Sequence, residues 1–168
     1  GMRSGECQRL RVEDVDFQHG WIQIVSRQGL ETKTRNSWKV PIHPALRTIL
    51  QYARRLKKGY FFTATPSKKF PAGEHWINTK RLNETFQDLL GTLKIEAGRK
   101  KGGFSLHDLR HAFKSIAIVH GVPREYVDCW QGHTGVRSAS DLYVHTFDAE
   151  SQRLMANVPF RAPGLEQR

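Results

Sequence analysis

His107-Asp108-Leu109-Arg110-His111 begins the segment that predicts the central helix of this chain, over residues 107–120. The helix should end there because Gly121 follows directly and Pro123 can open the next helix. Residues three apart lie on the same helix face, so the side chains of His107 and Arg110 can approach one ligand together. Because a guanidinium offers a planar, two-pronged set of donors, the pair is typical of a phosphate site.

Two later positions complete this pattern. A second histidine follows a glycine at Gly132-His133, and Tyr143 lies ten residues further on. A tyrosine that comes from a later element toward a cationic phosphate site is a candidate nucleophile. His107 and His111 are four apart and could form a metal pair, but no third ligand has suitable spacing. The sequence therefore predicts phosphate chemistry without a metal.

These residues resemble the catalytic domain of tyrosine recombinases, the phage-integrase family, and the resemblance runs nearly end to end. Each matching segment is weak alone, but five in the family's order are specific. The segments are Gly1–Glu6, Lys33–Arg35 followed by Val40-Pro41, Ser105–Phe113, Gly132-His133 and Leu142–His145.

The resemblance implies a site-specific recombinase or integrase that cuts and rejoins DNA strands through a 3′-phosphotyrosine, with no cofactor. Arg3 and Arg110 would then stabilise the charge that grows on the non-bridging phosphate oxygens in the transition state. Lys33 would protonate the leaving 5′ oxygen, and Lys39 is the second candidate for that role. A double-stranded DNA partner follows, with self-association into a tetramer on DNA and possible accessory recombination proteins.

The remaining roles fall on two imidazoles, a phenol and a carboxylate. His107 would assist proton removal from the tyrosine or bind the phosphate, and His133 would donate a hydrogen bond to a non-bridging oxygen. Tyr143 would be the nucleophile, helped by neighbouring cations because a phenol has a pKa near 10. Glu6 would orient Arg3 or a histidine without reacting.

The chain departs from the family pattern at several points. Gln131 stands where the family usually has the leucine of Leu-Gly-His, and the interval from His133 to Tyr143 is one residue longer than expected. The family's N-terminal DNA-clamping domain is not expected here, because the chain begins almost at Arg3. We therefore expect a catalytic domain over 1–158 and a loose tail over 159–168. The alternative is a catalytically silent DNA-binding fragment of a mobile-element integrase.

Composition favours a polyanionic partner. The 168 residues include 27 Lys and Arg against 16 Asp and Glu, which gives a net charge of +11. Phosphate neutralisation by such residues is the sequence-independent source of DNA affinity, although excess charge can also serve solubility alone. The clustered cations predicted to contact the DNA backbone are Arg54, Arg55, Lys57, Lys58, Lys68, Lys69, Arg99, Lys100 and Lys101.

Other sequence features narrow the class of protein. No apolar run approaches the length of about 20 residues that a membrane span requires, so a membrane partner is not predicted. Cys7 and Cys129 have no zinc-site spacing and are interpreted as free thiols in a reducing cytoplasm. Cys7 is interpreted as a packing residue.

The expected fold class is α+β and mainly helical, with a small antiparallel hairpin in the N-terminal half packed on a helical bundle. Alternating apolar residues predict strands over 21–25 and 38–42, joined by a long basic connection. Asp148 is predicted to cap the last helix. Besides the central helix, helices are predicted over 44–58, 78–97, 123–131, 138–146 and 148–157.

Overall fold

The computed structural model describes residues 1–33, 35–98, 102–133 and 141–161, and for 141–146 it describes the backbone alone. Within these ranges the chain forms helices and one small sheet, which confirms the predicted α+β, mainly helical class. The helices are α1 (Ser4–Arg9), α2 (Pro44–Ala53), α3 (Thr79–Thr92), α4 (Leu106–Val119), α5 (Arg124–Trp130) and α6 (Asp141–Asn157). The strands are β1 (Val15–Asp16), β2 (Trp21–Ile24) and β3 (Trp38–Pro41).

The sheet is antiparallel, with β2 between β1 and β3. Ile22 of β2 pairs with Val15 on one side and with Val40 on the other, and all three side chains are buried. The two longer strands match the predicted hairpin to within one residue. Sequence analysis did not find β1, because two residues are too short to show an alternating pattern.

One hydrogen bond and one ring contact join α5 and α6. The indole Nε1 of Trp130 donates to the hydroxyl of Ser151 at 2.6 Å, and both residues are buried. The rings of Tyr126 and Phe147 stack with centroids 4.4 Å apart and planes within 5°. Since a buried indole N–H needs an acceptor, the Trp130–Ser151 bond fixes how α6 lies on α5.

Two predicted helices end earlier than expected. α2 ends at Ala53, not near residue 58, because the cations at 54, 55, 57 and 58 would repel one another at helical spacing. α3 ends at Thr92, not at 97, and Lys94 adopts a left-handed conformation with φ of 56° that a helix cannot contain.

The C-terminal helix also differs from the prediction. Two helices were expected over 138–146 and 148–157, but α6 is continuous from Asp141 to Asn157. Asp148 is therefore not an N-cap; it lies inside α6, and its carboxylate pairs with the ammonium of Lys39. No glycine or proline separates Thr146 from Asp148, so the backbone can remain helical.

Phe160, within the predicted tail over 159–168, packs against the helical part of the chain. The ring of Phe160 stacks on Phe113, with centroids 5.5 Å apart, and meets the edge of His43. Residues 162–168 of the expected tail lie outside the described residues. Among the described residues, none of the helices is long and apolar enough to cross a membrane.

Candidate active site

A cavity of about 310 Å³ lies where the start of α1, the connection between β2 and β3, and the start of α4 meet. It brings together four of the six predicted catalytic residues, Arg3, Lys33, His107 and Arg110. The other lining residues are Met2, Ser4, Gly5, Glu6, Arg9, Thr32 and Leu106.

Glu6 fixes Arg3 at the start of α1. Its buried carboxylate accepts the backbone N–H of Arg3 at 2.7 Å and the Nη1 of the same residue at 2.7 Å. The carboxylate therefore satisfies a backbone donor at the helix N-terminus and holds the guanidinium of Arg3 beside the cavity. This arrangement is consistent with the orienting role predicted for Glu6.

The start of α4 directs His107 and Arg110 toward the cavity. The carboxylate of Asp108 accepts from the backbone N–H of Ser105 at 2.8 Å and from its hydroxyl at 2.6 Å. These two hydrogen bonds hold the pKa of Asp108 below its usual value. The helix therefore begins at Leu106, and positions 107 and 110 share its cavity face. His107 also contacts the ring of His111, with centroids 4.7 Å apart.

Arg110 is the best-anchored cation of the site, since its side chain is only 5 % exposed. Nη1 donates to the carbonyl oxygen of Gly1 at 2.6 Å, and Nη2 donates to that of Gln131 at 2.6 Å. Nη2 also lies 3.2 Å from Nε2 of His133. The guanidinium thus joins α4 to the residue ahead of α1 and to the end of α5.

The charges in the cavity favour an anion. Burial lowers the pKa of Arg110, and repulsion from Arg3 lowers it further, while Glu6 acts in the opposite direction. Glu6 is the one acid among the described residues that line the cavity, against the cations Arg3, Arg9, Lys33 and Arg110. A bound phosphate would supply the negative charge that this set of donors lacks.

The residue before His133, Gly132, has a backbone conformation and a close packing contact that favour glycine. Gly132 has a left-handed backbone with φ of +63°, and an added Cβ would lie 2.4–2.6 Å from three atoms of the Trp38 indole. Any side chain at position 132 would therefore collide with Trp38, at the start of β3. The close approach places the loop that carries His133 directly on the sheet.

The two candidate lysines lie in different surroundings. Lys33 is exposed and lines the cavity, whereas Lys39 lies 4.5 Å above the ring of Trp21 and pairs with Asp148 of α6. Of the two candidates for the proton donor, Lys33 is therefore the one that lines the cavity.

Sequence analysis missed several residues that organise the site. Arg9 lines the cavity and donates to the carbonyl oxygen of Glu31 at 2.5 Å, which ties α1 to the segment that carries Lys33. Gln131 is buried, and its side-chain amide donates to the Arg110 carbonyl oxygen at 3.0 Å. Asp128 contacts His133. The replacement of the family's leucine at 131 was visible in the sequence, but its hydrogen-bond partner was not.

Other predicted residues lie at the surface or outside the described residues. The backbone of Tyr143 lies in the first turn of α6, but its side chain is not among those described. Residues 99–101 also lie outside the described residues. The six described cations of the predicted DNA-contacting set are all exposed: Arg54, Arg55, Lys57, Lys58, Lys68 and Lys69.

A second cavity of about 250 Å³ lies beside α2 and is lined mainly by apolar residues, including Val40, Phe113 and Met155.

Burial raises the pKa of Cys7 to about 11, so its thiol stays protonated at neutral pH. This protonation state agrees with a packing role for Cys7.

Comparison with known proteins decides the family. The sequence model of the phage integrase family matches residues 1–150. The chain belongs to this family. An integrase/recombinase of Escherichia coli is 30% identical over an alignment 176 positions long, which covers 86% of this chain and 51% of that protein. The tyrosine recombinase XerA of Pyrococcus furiosus is 27% identical over 147 residues, covering 85% and 45%.

A solved structure shows that the fold is shared. The crystal structure of XerA recombinase matches this chain with a TM-score of 0.59 at 19% identity, covering 89% of this chain and 51% of that one. This integrase-family chain thus spans about half the length of the relatives it matches. The family and the fold predicted from the sequence are both confirmed.

The contact between Gly132 and Trp38 gives a testable prediction. We expect Gly132→Ala to lower the free energy of unfolding by about 1–3 kcal/mol for the overpacking, beyond roughly 1–2 kcal/mol for the left-handed backbone. Gly29→Ala is the matched control, because Gly29 has φ of +75° but no atom within 4 Å of an added Cβ. Urea unfolding of both variants measures the difference. Equal losses in the two variants would show that Trp38 does not restrict position 132.

Proposed function

We propose that this chain is the catalytic domain of a site-specific DNA recombinase, which cuts and rejoins strands through a 3′-phosphotyrosine formed on Tyr143. The observation that carries the proposal is the convergence of Arg3, Lys33, His107 and Arg110 on one cavity, with His133 in contact with Arg110. These residues come from four separate parts of the chain. Membership of the phage integrase family supports the same reaction class.

The proposed cleavage step uses each group once. The phenol oxygen of Tyr143 attacks the phosphorus, while the bond from phosphorus to the 5′ oxygen breaks. His107 accepts the phenol proton, and the ammonium of Lys33 gives a proton to the leaving 5′ oxygen. Arg3 and Arg110 bind the non-bridging oxygens, where negative charge increases in the transition state. Reversal of the same steps by another 5′ hydroxyl rejoins the strand.

The helix that carries Tyr143 is held beside α5. Phe147, four residues after the tyrosine in α6, stacks on Tyr126 of α5, and Ser151 bonds to Trp130. Because α5 leads directly to His133, these contacts support a nucleophile that approaches the phosphate from the His133 side of the cavity. The role of Tyr143 remains a prediction, because its side chain is not among those described.

The proposed substrate is double-stranded DNA, contacted by the exposed basic clusters. We further propose that the protein forms tetramers only on DNA, alone or with accessory recombination proteins, and that it belongs to a mobile element. A cytoplasmic location agrees with the two free thiols, Cys7 and Cys129.

Tyr143→Phe tests the reaction class. A nicked suicide duplex incubated with this chain in EDTA should trap a covalent protein–DNA adduct, and Tyr143→Phe should trap none because phenylalanine has no nucleophilic oxygen. Tyr52→Phe is the control, since Tyr52 is 92% exposed on α2 and lies outside the cavity. Denaturing gels measure the adduct. Equal adduct with Tyr143→Phe would exclude this nucleophile, and DNA binding without any adduct would favour the silent DNA-binding fragment.

The salt dependence of binding tests the basic clusters. We expect neutral glutamines at 99, 100 and 101 to weaken binding equally on two unrelated duplexes and to flatten the plot of log affinity against log salt. Each lost phosphate contact should reduce the slope by roughly 0.9. Fluorescence anisotropy over a salt series measures both quantities.

A second triple variant controls for the loss of net charge. It places glutamine at three exposed cations outside the predicted clusters: Lys80, Lys94 and Arg153. It should change the slope less than the 99–101 variant does. Equal slopes, or tight binding to one duplex that is insensitive to salt, would contradict a backbone-contacting role for 99–101.

A further inference from the structure

The side chain of Asp128, on α5, contacts three basic side chains, although the sequence analysis predicted no role for this residue. Its Oδ1 accepts from Nζ of Lys114 at 2.5 Å and lies 3.2 Å from Nδ1 of His133. Its Oδ2 lies 3.5 Å from Nε of Arg124. The side chains of Asp128 and Lys114 are only 22% and 25% exposed, so their ion pair is partly shielded from water.

The charge state of Asp128 determines which nitrogen of His133 carries a proton. Burial alone would raise the pKa of Asp128, but the hydrogen bonds from Lys114 and His133 outweigh it and leave the pKa below its usual value. The group is therefore a carboxylate at neutral pH. Because a carboxylate only accepts hydrogen bonds, Nδ1 of His133 must donate.

The opposite edge of the His133 ring is equally constrained. Nε2 lies 3.2 Å from Nη2 of Arg110, and a guanidinium only donates. A flipped ring would direct a carbon atom at each partner and lose both contacts. Asp128 on one side and Arg110 on the other therefore define a single orientation, in which Nε2 faces the buried guanidinium.

We infer that Asp128 is the positioning residue for His133: it accepts the Nδ1–H and so holds the ring with Nε2 beside the guanidinium of Arg110, the proposed phosphate ligand. The inference rests on the proposed function for its catalytic meaning. Its structural part, the tautomer and orientation of His133, stands without it.

Lys114 explains why Asp128 can perform this task. It lies four residues after Arg110 on α4, so both side chains leave the same face of that helix. Its bond to Oδ1 anchors the carboxylate to the helix that carries Arg110. The contacts of α4 and α5 together therefore set the separation between Asp128 and Arg110, the residues on the two sides of the His133 ring.

The kinetic test uses the rate of adduct formation on the suicide duplex. We expect Asp128→Ala to slow this rate by about 10–100-fold. This is the range found for metal-ligating histidines when the residue that accepts the hydrogen bond from the ring is removed. Asp128→Asn should retain most of the rate, because both Lys114 and His133 bind Oδ1 and an amide oxygen can accept from both. An Asn variant as slow as the Ala variant would overturn the inference.

A double-variant cycle separates positioning from general stability. In the His133→Ala background, Asp128→Ala should cause little further loss of rate, since the ring it positions is gone. Independent losses that multiply would overturn the inference. Arg124→Gln is the matched control: it removes a partner of Asp128 that does not touch His133, and it should leave the rate unchanged. Thermal unfolding of each variant identifies losses caused by misfolding.

Long-range ¹H–¹⁵N NMR of the wild-type chain tests the orientation without any assay of activity. The spectrum should show His133 protonated on Nδ1, and Asp128→Ala should weaken this signal because the acceptor of the Nδ1–H is lost. Wild-type His133 protonated on Nε2 alone would overturn the inference, even if Asp128→Ala did not fold. If no adduct forms but Nδ1 is protonated, the proposed function fails and the positioning by Asp128 remains.

Discussion

The buried guanidinium of Arg110 is the constraint on which the rest of the site depends. Removing a charge from water costs several kcal/mol, so the surrounding groups must compensate for the lost hydration. Two carbonyl oxygens, of Gly1 and Gln131, accept from the two terminal nitrogens at 2.6 Å each. The nearest carboxylate oxygen, of Glu6, lies 3.8 Å from Nη1. Backbone dipoles therefore compensate for much of the burial, and the positive charge is not cancelled by direct ion pairing.

This arrangement leaves the cavity with an excess of positive charge. Glu6 is already engaged by Arg3 through a bond of 2.7 Å, so it cannot also neutralise Arg110, Lys33 and Arg9. A site that accepts a phosphate diester needs this imbalance, because its donors must be fixed in place before the charge arrives. The same contacts that hold Arg110 also hold His133, through Gln131 on the preceding turn. The fold and the proposed phosphate recognition thus depend on one set of hydrogen bonds.

The sequence predicted the parts of the site that depend on local spacing. His107 and Arg110 share a helix face because they are three residues apart, whereas the left-handed backbone of Gly132 was not predicted. The sequence could not predict contacts between distant segments, such as Gln131 with Arg110 or Lys39 with Asp148. The sequence ranked Lys33 ahead of Lys39 as the proton donor, but it did not predict the partner of Lys39. Helix ends were the weakest predictions, since α2 ends where cations accumulate and α6 continues through an aspartate suited to capping.

Arg110→Lys tests the central claim most directly, because it keeps the charge and removes the planar fork. Its rate of covalent adduct formation should be compared with wild type at a temperature where circular dichroism shows both proteins folded. An ammonium cannot reproduce two donors in the fixed geometry that joins Gly1 and Gln131 while facing the phosphate. We predict a rate about 10²–10³-fold below wild type, the usual effect of losing one preorganised donor. A wild-type rate would contradict the account, since charge alone at position 110 would then suffice.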